Sequence, residues 1–333
     1  MNPVHISIIL ISSVLFAYFI QYNNNSNMTT LAAVRAANSQ ISLIGKQSIV
    51  VGGTSGIGHG IAKRLAQAGC SVTIVGRSER GIVEELNSIS PPDSNAQHKF
   101  VPVNAYLLSS VDVAVNEISS THEKIDYLVQ SQGMATIQGF TPSPEEGLDQ
   151  KLTLHVYSRA SFCTKLLPLL LKSDNPRSIS ILSAGVHSPY TGYKNDLELI
   201  NSYSIKNAAD SAGFYNDILA DGIATSNPQL TMLHAAPGFV RTRWGTEMPW
   251  IIRWPVRFMQ RFGRSQEDCA SYMFNGLTNA THTNGFHLLN EYGAKINKVT
   301  NLHEEAKEFV FTNIMKIVET GKSLATTTGS TKL

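Results

Sequence analysis

The segment Val50-Val51-Gly52-Gly53-Thr54-Ser55-Gly56-Ile57-Gly58 constrains this chain more than any other stretch, because it joins a short apolar run directly to the amphipathic segment 61–68. A strand that turns straight into a helix leaves backbone N–H groups pointing out of the helix N-terminus, where they attract anions. Gly52, Gly56 and Gly58 carry no Cβ to hold a pyrophosphate away from that backbone. The turn running from Gly52 through Thr54, Ser55, Gly56 and Ile57 to Gly58 is therefore predicted to bind a dinucleotide.

From Lys46 onward, strand-like apolar runs alternate with helix-length amphipathic segments, the pattern of an α/β doubly wound parallel sheet between two helical layers. Strands are expected near 47–51, 71–76, 99–103, 125–130, 177–182, 230–235 and 286–289, with long helices near 145–172 and 202–226. No linker-like tract interrupts the series, so one domain is expected. With 42% hydrophobic and 16% charged residues and a formal net charge of +2, nothing points to disorder or to a nucleic-acid partner. Cys70, Cys163 and Cys269 are widely spaced and odd in number; they read as buried thiols, and no metal is expected.

The first residues need a separate reading. Residues 6–20 form an apolar run broken only by serines, short of the ~20 residues that a spanning helix needs. No Lys or Arg precedes the run, which weighs against a cleaved signal. Arg35 and Lys46 follow it, an order that would keep the folded domain on the cytosolic side. Residues 1–27 are thus expected to anchor the chain to a membrane, that of the endoplasmic reticulum being one candidate. The alternative is a cytoplasmic protein starting at Met28. Residues 28–43 form a lead-in.

Across roughly residues 44–295 the chain resembles the short-chain dehydrogenase/reductase family, whose dinucleotide domain is a single Rossmann-type sheet. The resemblance rests on the spacing Gly52-x-x-x-Gly56-x-Gly58, on Pro237-Gly238-Phe239-Val240-Arg241-Thr242, and on Ile179-Ser180-Ile181-Leu182-Ser183. It implies that Pro237, Gly238, Val240 and Thr242 cover the nicotinamide side of a cofactor. Strand 71–76 ends in Gly76-Arg77-Ser78 without an acid to hold a ribose hydroxyl. A guanidinium there matches a 2′-phosphate, so Arg77 points to NADP(H), the other reading being a solvated loop arginine. Asn104 stands where the family places an Asp near adenine, and Gly133 in Gln130-Ser131-Gln132-Gly133 keeps a close backbone approach.

Catalysis in the family uses a Ser that polarises a carbonyl, a Tyr that exchanges the proton, a Lys four residues later and an Asn. The resemblance assigns Ser183 to the carbonyl, Ser180 being the less suitable hydroxyl inside the strand. Asn201-Ser202-Tyr203-Ser204-Ile205-Lys206-Asn207-Ala208-Ala209 matches by its Tyr and its Ala-Ala, so Tyr203 is expected to be the proton donor. Asn207 holds the lysine position, and Lys206 lies one residue early, ~100° around the helix. Lys206 is read either as the displaced catalytic lysine or as a solvated one. His155 falls at the Asn position and is read either as a proton relay or as a histidine bonded to backbone. An insertion around 190–199 is expected at the site's mouth.

Residues 243–264 mix Trp and Arg, and in the family this segment is the substrate flap. Its composition suggests a lipophilic substrate and contact with a membrane surface; packing of the tryptophans on the core is the competing reading. A C-terminal helix and tail fill 296–333. The resemblance also implies a homodimer or homotetramer. The resulting expectation is an enzyme, an NADP(H)-dependent oxidoreductase acting on a carbonyl or secondary alcohol. The alternatives are a nucleotide-binding protein without turnover and a scaffold, the latter opposed by the intact glycine turn.

Overall fold

Alternation of side chains along the strands sets the architecture. In β1 (Gln47–Val51), Val50 packs into one apolar cluster while Ile49 and Val51 pack into another on the opposite face, so both faces of the strand are buried. The computed structural model describes residues 30–241, 261 and 263–325. Beside β1 lie β2 (Ser71–Gly76), β3 (Lys99–Pro102), β4 (Tyr127–Gln130), β5 (Arg177–Ile181), β6 (Thr231–Ala235), β7 (Gly285–Leu289) and β8 (Lys295–Ile296). Their order is β3-β2-β1-β4-β5-β6-β7-β8, parallel throughout except for β8, which pairs antiparallel with β7.

The helices are α1 (Leu31–Asn38), α2 (Gly56–Gln67), α3 (Ile82–Ile89), α4 (Leu108–Thr121), α5 (Ser158–Lys165), α6 (Ile205–Ser226), α7 (Gln266–Thr278) and α8 (Asn301–Thr320). On one face Ile61 and Leu65 of α2 and Met273 and Phe274 of α7 cover Val50, Ile74, Ile179 and Leu233. On the other, Val111 of α4, Phe162 of α5 and Ile223 of α6 cover Ile49, Val75, Leu128 and Met232. A third cluster joins α6 to α8 through Phe214, Tyr215, Val310 and Ile314. Strand order reverses between β1 and β4, and the C-terminal ends of those strands, Gly52 and 130–133, face each other there. Open α/β sheets bind their ligands at such a switch point.

The strands expected from sequence match those observed to within two residues, while β8 and α1 were not foreseen. The long helix expected over 145–172 is broken. Asp149 caps a single turn, Gln150–Leu152, by accepting from the N–H groups of Lys151 and Leu152; a π-helical turn, Thr153–Tyr157, leads into α5. Pro168, which has no N–H to donate, falls in the first turn of the next segment, Leu167–Leu170. The expected insertion forms a loop with a short 3₁₀ turn at Thr191–Lys194.

Membrane anchoring with a cytosolic domain does not stand: among the described residues no helix is long and apolar enough to cross a membrane. The apolar run 6–20 that prompted the expectation lies outside the described residues.

Arg177, at the start of β5, ties the sheet to the end of α7. Its buried guanidinium donates to the carbonyls of Leu277 (3.1 Å), Asn279 (3.0 Å) and His282 (2.9 Å). Arg177→Met would fill similar volume but strand three carbonyl acceptors, and is expected to cost about 2–4 kcal/mol in chemical denaturation.

Candidate functional site

The turn between β1 and α2 is built by exclusion of side chains. Gly52 has φ +78°, and a Cβ on it would lie 2.5 Å from the backbone N of Gln132 at the end of β4. A Cβ on Gly58 would lie 2.5 Å from the carbonyl O of Gly52. The two contacts press β1, the end of β4 and the first turn of α2 into one cradle. Ser55 at the N-cap makes no side-chain bond to the helix, so its hydroxyl does not occupy the N–H groups of the first turn. Thr54 packs under Gly76, where an added Cβ would meet its Cγ2 at 2.8 Å. Arg77 follows immediately and is exposed at the end of β2.

The other expected cofactor contacts fall along the same rim. Asn104 is exposed beyond β3, its Oδ1 accepting from the N–H of Tyr106 and its own N–H donating to Ser110. Gly133 is exposed beyond β4, 3.4 Å from His155 if a Cβ were added. Pro237 and Gly238 follow β6, and the buried Val240 bridges to Arg264, whose guanidinium lies 4.6 Å from the ring centroids of Tyr272 and Tyr292. Thr242 lies outside the described residues, as does nearly all of the expected flap 243–264.

Ser183 stands at the end of β5. Its N–H donates to Nε2 of His234 (3.1 Å), and its hydroxyl is buried with no hydrogen-bond partner among the described residues. Helix α6 passes it at Gly213, where an added Cβ would lie 2.5 Å from Ser183 Oγ and 2.3 Å from His187 Nδ1. Gly213 therefore faces the serine, and Asp217, four residues further along α6, is linked to it through His187 and His234.

This corrects the expected donor pair. Tyr203 precedes α6, eight residues and more from Gly213, hence about 12 Å or more along the helix axis. Its hydroxyl donates to the carbonyl of Gln138, and its ring packs against Phe140 and beneath Lys151. Burial, with the Asp149 carboxylate nearby, pushes its phenol up to about 12, away from neutrality. Lys206 is exposed and paired with Asp210 one turn along the surface, and Asn207 bonds back to the carbonyl of Ser202. Neither Tyr203 nor Lys206 is brought to Ser183.

His155 sits beside Gly133 in the π-helical turn, but not as a relay. Its Nε2 accepts from the N–H of Met134 (3.1 Å), and burial, with Arg159 and Lys151 nearby, lowers its pKa to about 3, so the ring stays neutral. Ser180 is likewise structural: it accepts from Arg159 and donates to Asn216.

Sequence reasoning missed five residues. Arg159, buried beneath the site, clamps the ends of β4 and β5 by donating to the carbonyls of Gln130, Gln132 and Ile181. Asp217 is buried at the centre of three histidines, His187 beyond β5, His234 on β6 and His303 on α8. Burial opposes its ionisation, and the three imidazoles outweigh that, holding its carboxyl well below the usual carboxylate range. These residues are far apart in sequence, and no spacing pattern marks them.

Comparison with known proteins agrees with this architecture. Residues 46–195 match the family described as short chain dehydrogenase. Among curated relatives, oxidoreductase andH of Emericella variicolor is 31% identical over 245 residues, covering 68% of this chain and 70% of that protein. The NmrA-like family domain-containing oxidoreductase notO of an Aspergillus species is 30% identical over 224 residues, covering 65% and 67%. Among solved structures, an alcohol dehydrogenase from the archaeon Thermococcus sibiricus, complexed with 5-hydroxy-NADP, matches the fold with a TM-score of 0.55 at 15% identity, covering 77% of this chain and 98% of that one.

Gly58→Ala is expected to destabilise the chain by about 1–3 kcal/mol, because its methyl meets a backbone carbonyl that has no room to move. Lys206→Ala, by contrast, is expected to leave the denaturation midpoint unchanged. Asp217→Asn should lower it most between about pH 4 and 6.5, where the depressed Asp217 is ionised and the raised His187 is charged, and progressively less as pH rises further. Denaturation curves across pH check all three.

Proposed function

Because the chain belongs to the short-chain dehydrogenase/reductase family, we propose that it is an NADP(H)-dependent oxidoreductase that interconverts a carbonyl and a secondary alcohol on a small, lipophilic molecule. The observation that carries this reading is the cradle at Gly52 and Gly58, where a Cβ would collide with backbone and where a pyrophosphate can instead approach the first turn of α2. When bound, the nicotinamide nucleotide supplies or accepts the hydride.

The chain's own residues divide the remaining work. The N–H groups of the turn hold the pyrophosphate. The exposed Arg77 guanidinium pairs with the 2′-phosphate through parallel N–H donors. Asn104 lies toward the adenine, Gly133 allows close approach at the end of β4, and the Pro237 to Val240 turn covers the nicotinamide side. Ser183, whose buried hydroxyl has no hydrogen-bond partner among the described residues, directs that hydroxyl to the carbonyl oxygen of the substrate.

A second reading, nucleotide binding without turnover, draws support from Gly213, which faces Ser183 without a phenol, and from Asp217 four residues on, which offers no amine.

Calorimetry with NADPH and NADH on the full chain tests the proposal. NADPH is expected to bind more tightly. Arg77→Ala should weaken NADPH about 10–100-fold, the worth of one charge-assisted phosphate contact, and leave NADH unchanged. Failure of both nucleotides to bind would overturn the reading; binding of NADPH without consumption against any ketone or alcohol would favour the second.

A further inference from the structure

Helix α6 is apolar on two sides. Ala220, Ile223 and Ala224 join the cluster on the sheet, while Phe214, Tyr215, Ile218 and Leu219, spaced as one helical stripe, belong to a separate cluster. The sheet satisfies the first stripe. The second must be covered by another partner or be left as an exposed apolar patch. The homodimer or homotetramer that the family resemblance implies would supply that partner by packing long helices of two copies together, and α6, with 22 residues, is the longest helix among the described residues.

In this chain the partner is α8. It lies across α6, α5 and the 3₁₀ turn Thr191–Lys194, and it buries Ala306, Val310, Ile314, Ile317 and Val318 in the same cluster as the second stripe. The approach is closest at Gly222, where an added Cβ would lie 2.5 Å from the Phe311 ring. Bare backbone at that position is what lets the two helices come together.

Both ends of α8 are tied down. At its start the capping box at Thr300 fixes His303, which bonds to Asp217 and whose ring centre lies 4.7 Å from that of Phe214. Along its length Glu305 pairs with Lys194 (2.9 Å) and Lys307 with Asp221 (2.6 Å). Past its end the Ser323 N–H donates to the carbonyl of Glu146, and the buried Glu198 carboxylate accepts from the Ser323 hydroxyl and the Leu324 N–H. Docking of the helix therefore does not rest on its apolar stripe alone.

The opposite face of α8 is unsuited to pairing. It exposes Glu304, Glu305, Glu308 and Glu319 against Lys316, so two copies meeting there would set carboxylates against carboxylates. Phe309, the large apolar side chain exposed on this helix, leans on Tyr193 of the same chain, with ring centres 5.9 Å apart.

We propose that α8 occupies in cis the surface of α5 and α6 through which copies would otherwise pair, so that the chain is a monomer and completes the network beside Ser183 from its own residues. A two-fold interface uses the same patch on both copies, and both must be free. With α8 seated on each, neither is. The helix that covers the patch also delivers His303 to Asp217, whose bonds to His187 and His234 lead to Ser183.

Sedimentation equilibrium of the full chain is the test, at loadings from about 1 to 100 μM, a span over which an interface of micromolar or tighter affinity fills the dimer. A single species of 36.3 kDa is expected throughout. Twice that mass at any loading would overturn the proposal. Ile314→Asp then asks whether α8 is the cause, by placing a carboxylate in the apolar contact; Phe311→Asp does so at a half-buried position and serves where the first variant does not fold. In either, faster amide hydrogen exchange over 301–320 reports a lifted helix, and the mass is expected to rise toward that of a dimer as loading increases. A helix that lifts while the mass stays at 36.3 kDa would show that the surface beneath it does not pair copies, and would overturn the proposal as well.

Discussion

A single buried carboxylate holds together the region around Ser183. Asp217 is almost fully enclosed, and an ionised carboxyl in such a place is stable only when donors surround it. It receives His234 from β6, His187 from the loop after β5 and His303 from the C-terminal helix, and so joins four parts of the chain at one point. His303 is fixed in turn by the capping box at Thr300, which orients the start of α8. The position of Ser183 follows from the same network, since its N–H is bonded to the far side of His234.

The cofactor side of the molecule depends on a contrasting principle, the removal of side chains. Gly52 and Gly58 allow backbone to meet backbone where β1, β4 and α2 converge, and Gly60 lets α2 approach α7 closely, where an added Cβ would lie 2.7 Å from the Ala270 Cβ. Arg159 underlies both sides. Its guanidinium is buried and, among the described residues, its two terminal nitrogens donate to three carbonyls and a hydroxyl rather than to a carboxylate, and burial lowers its pKa to about 9. It fixes the ends of β4 and β5 relative to each other, and hence the spacing between the cradle and Ser183.

Much of the fold was legible in the sequence because short apolar runs such as Ile49 to Val51 and Val72 to Val75 are local signals, and the glycine turn between them requires only neighbours along the chain. The assignment of Tyr203 failed for a related reason. Tyr, Lys and a trailing Ala-Ala at nearly the right spacing satisfy a local pattern, but which turn of α6 passes Ser183 depends on the length of the loop 184–204 and on how α6 packs against α8. The eight residues from Ile205, the first of α6, to Gly213 are just over two helical turns, enough to carry the tyrosine to Gln138 and Phe140 instead.

The sequence by itself determined the sheet, its strand limits, the cradle and the place of Ser183 at the end of β5, because each is encoded in contiguous residues whose hydropathy and backbone freedom act locally. Only the tertiary structure decided what stands beside that serine. His187, Asp217, His234 and His303 are spread over more than a hundred residues, and their proton positions follow from which acceptor faces each ring nitrogen, a relation that exists only after the strands and helices have packed.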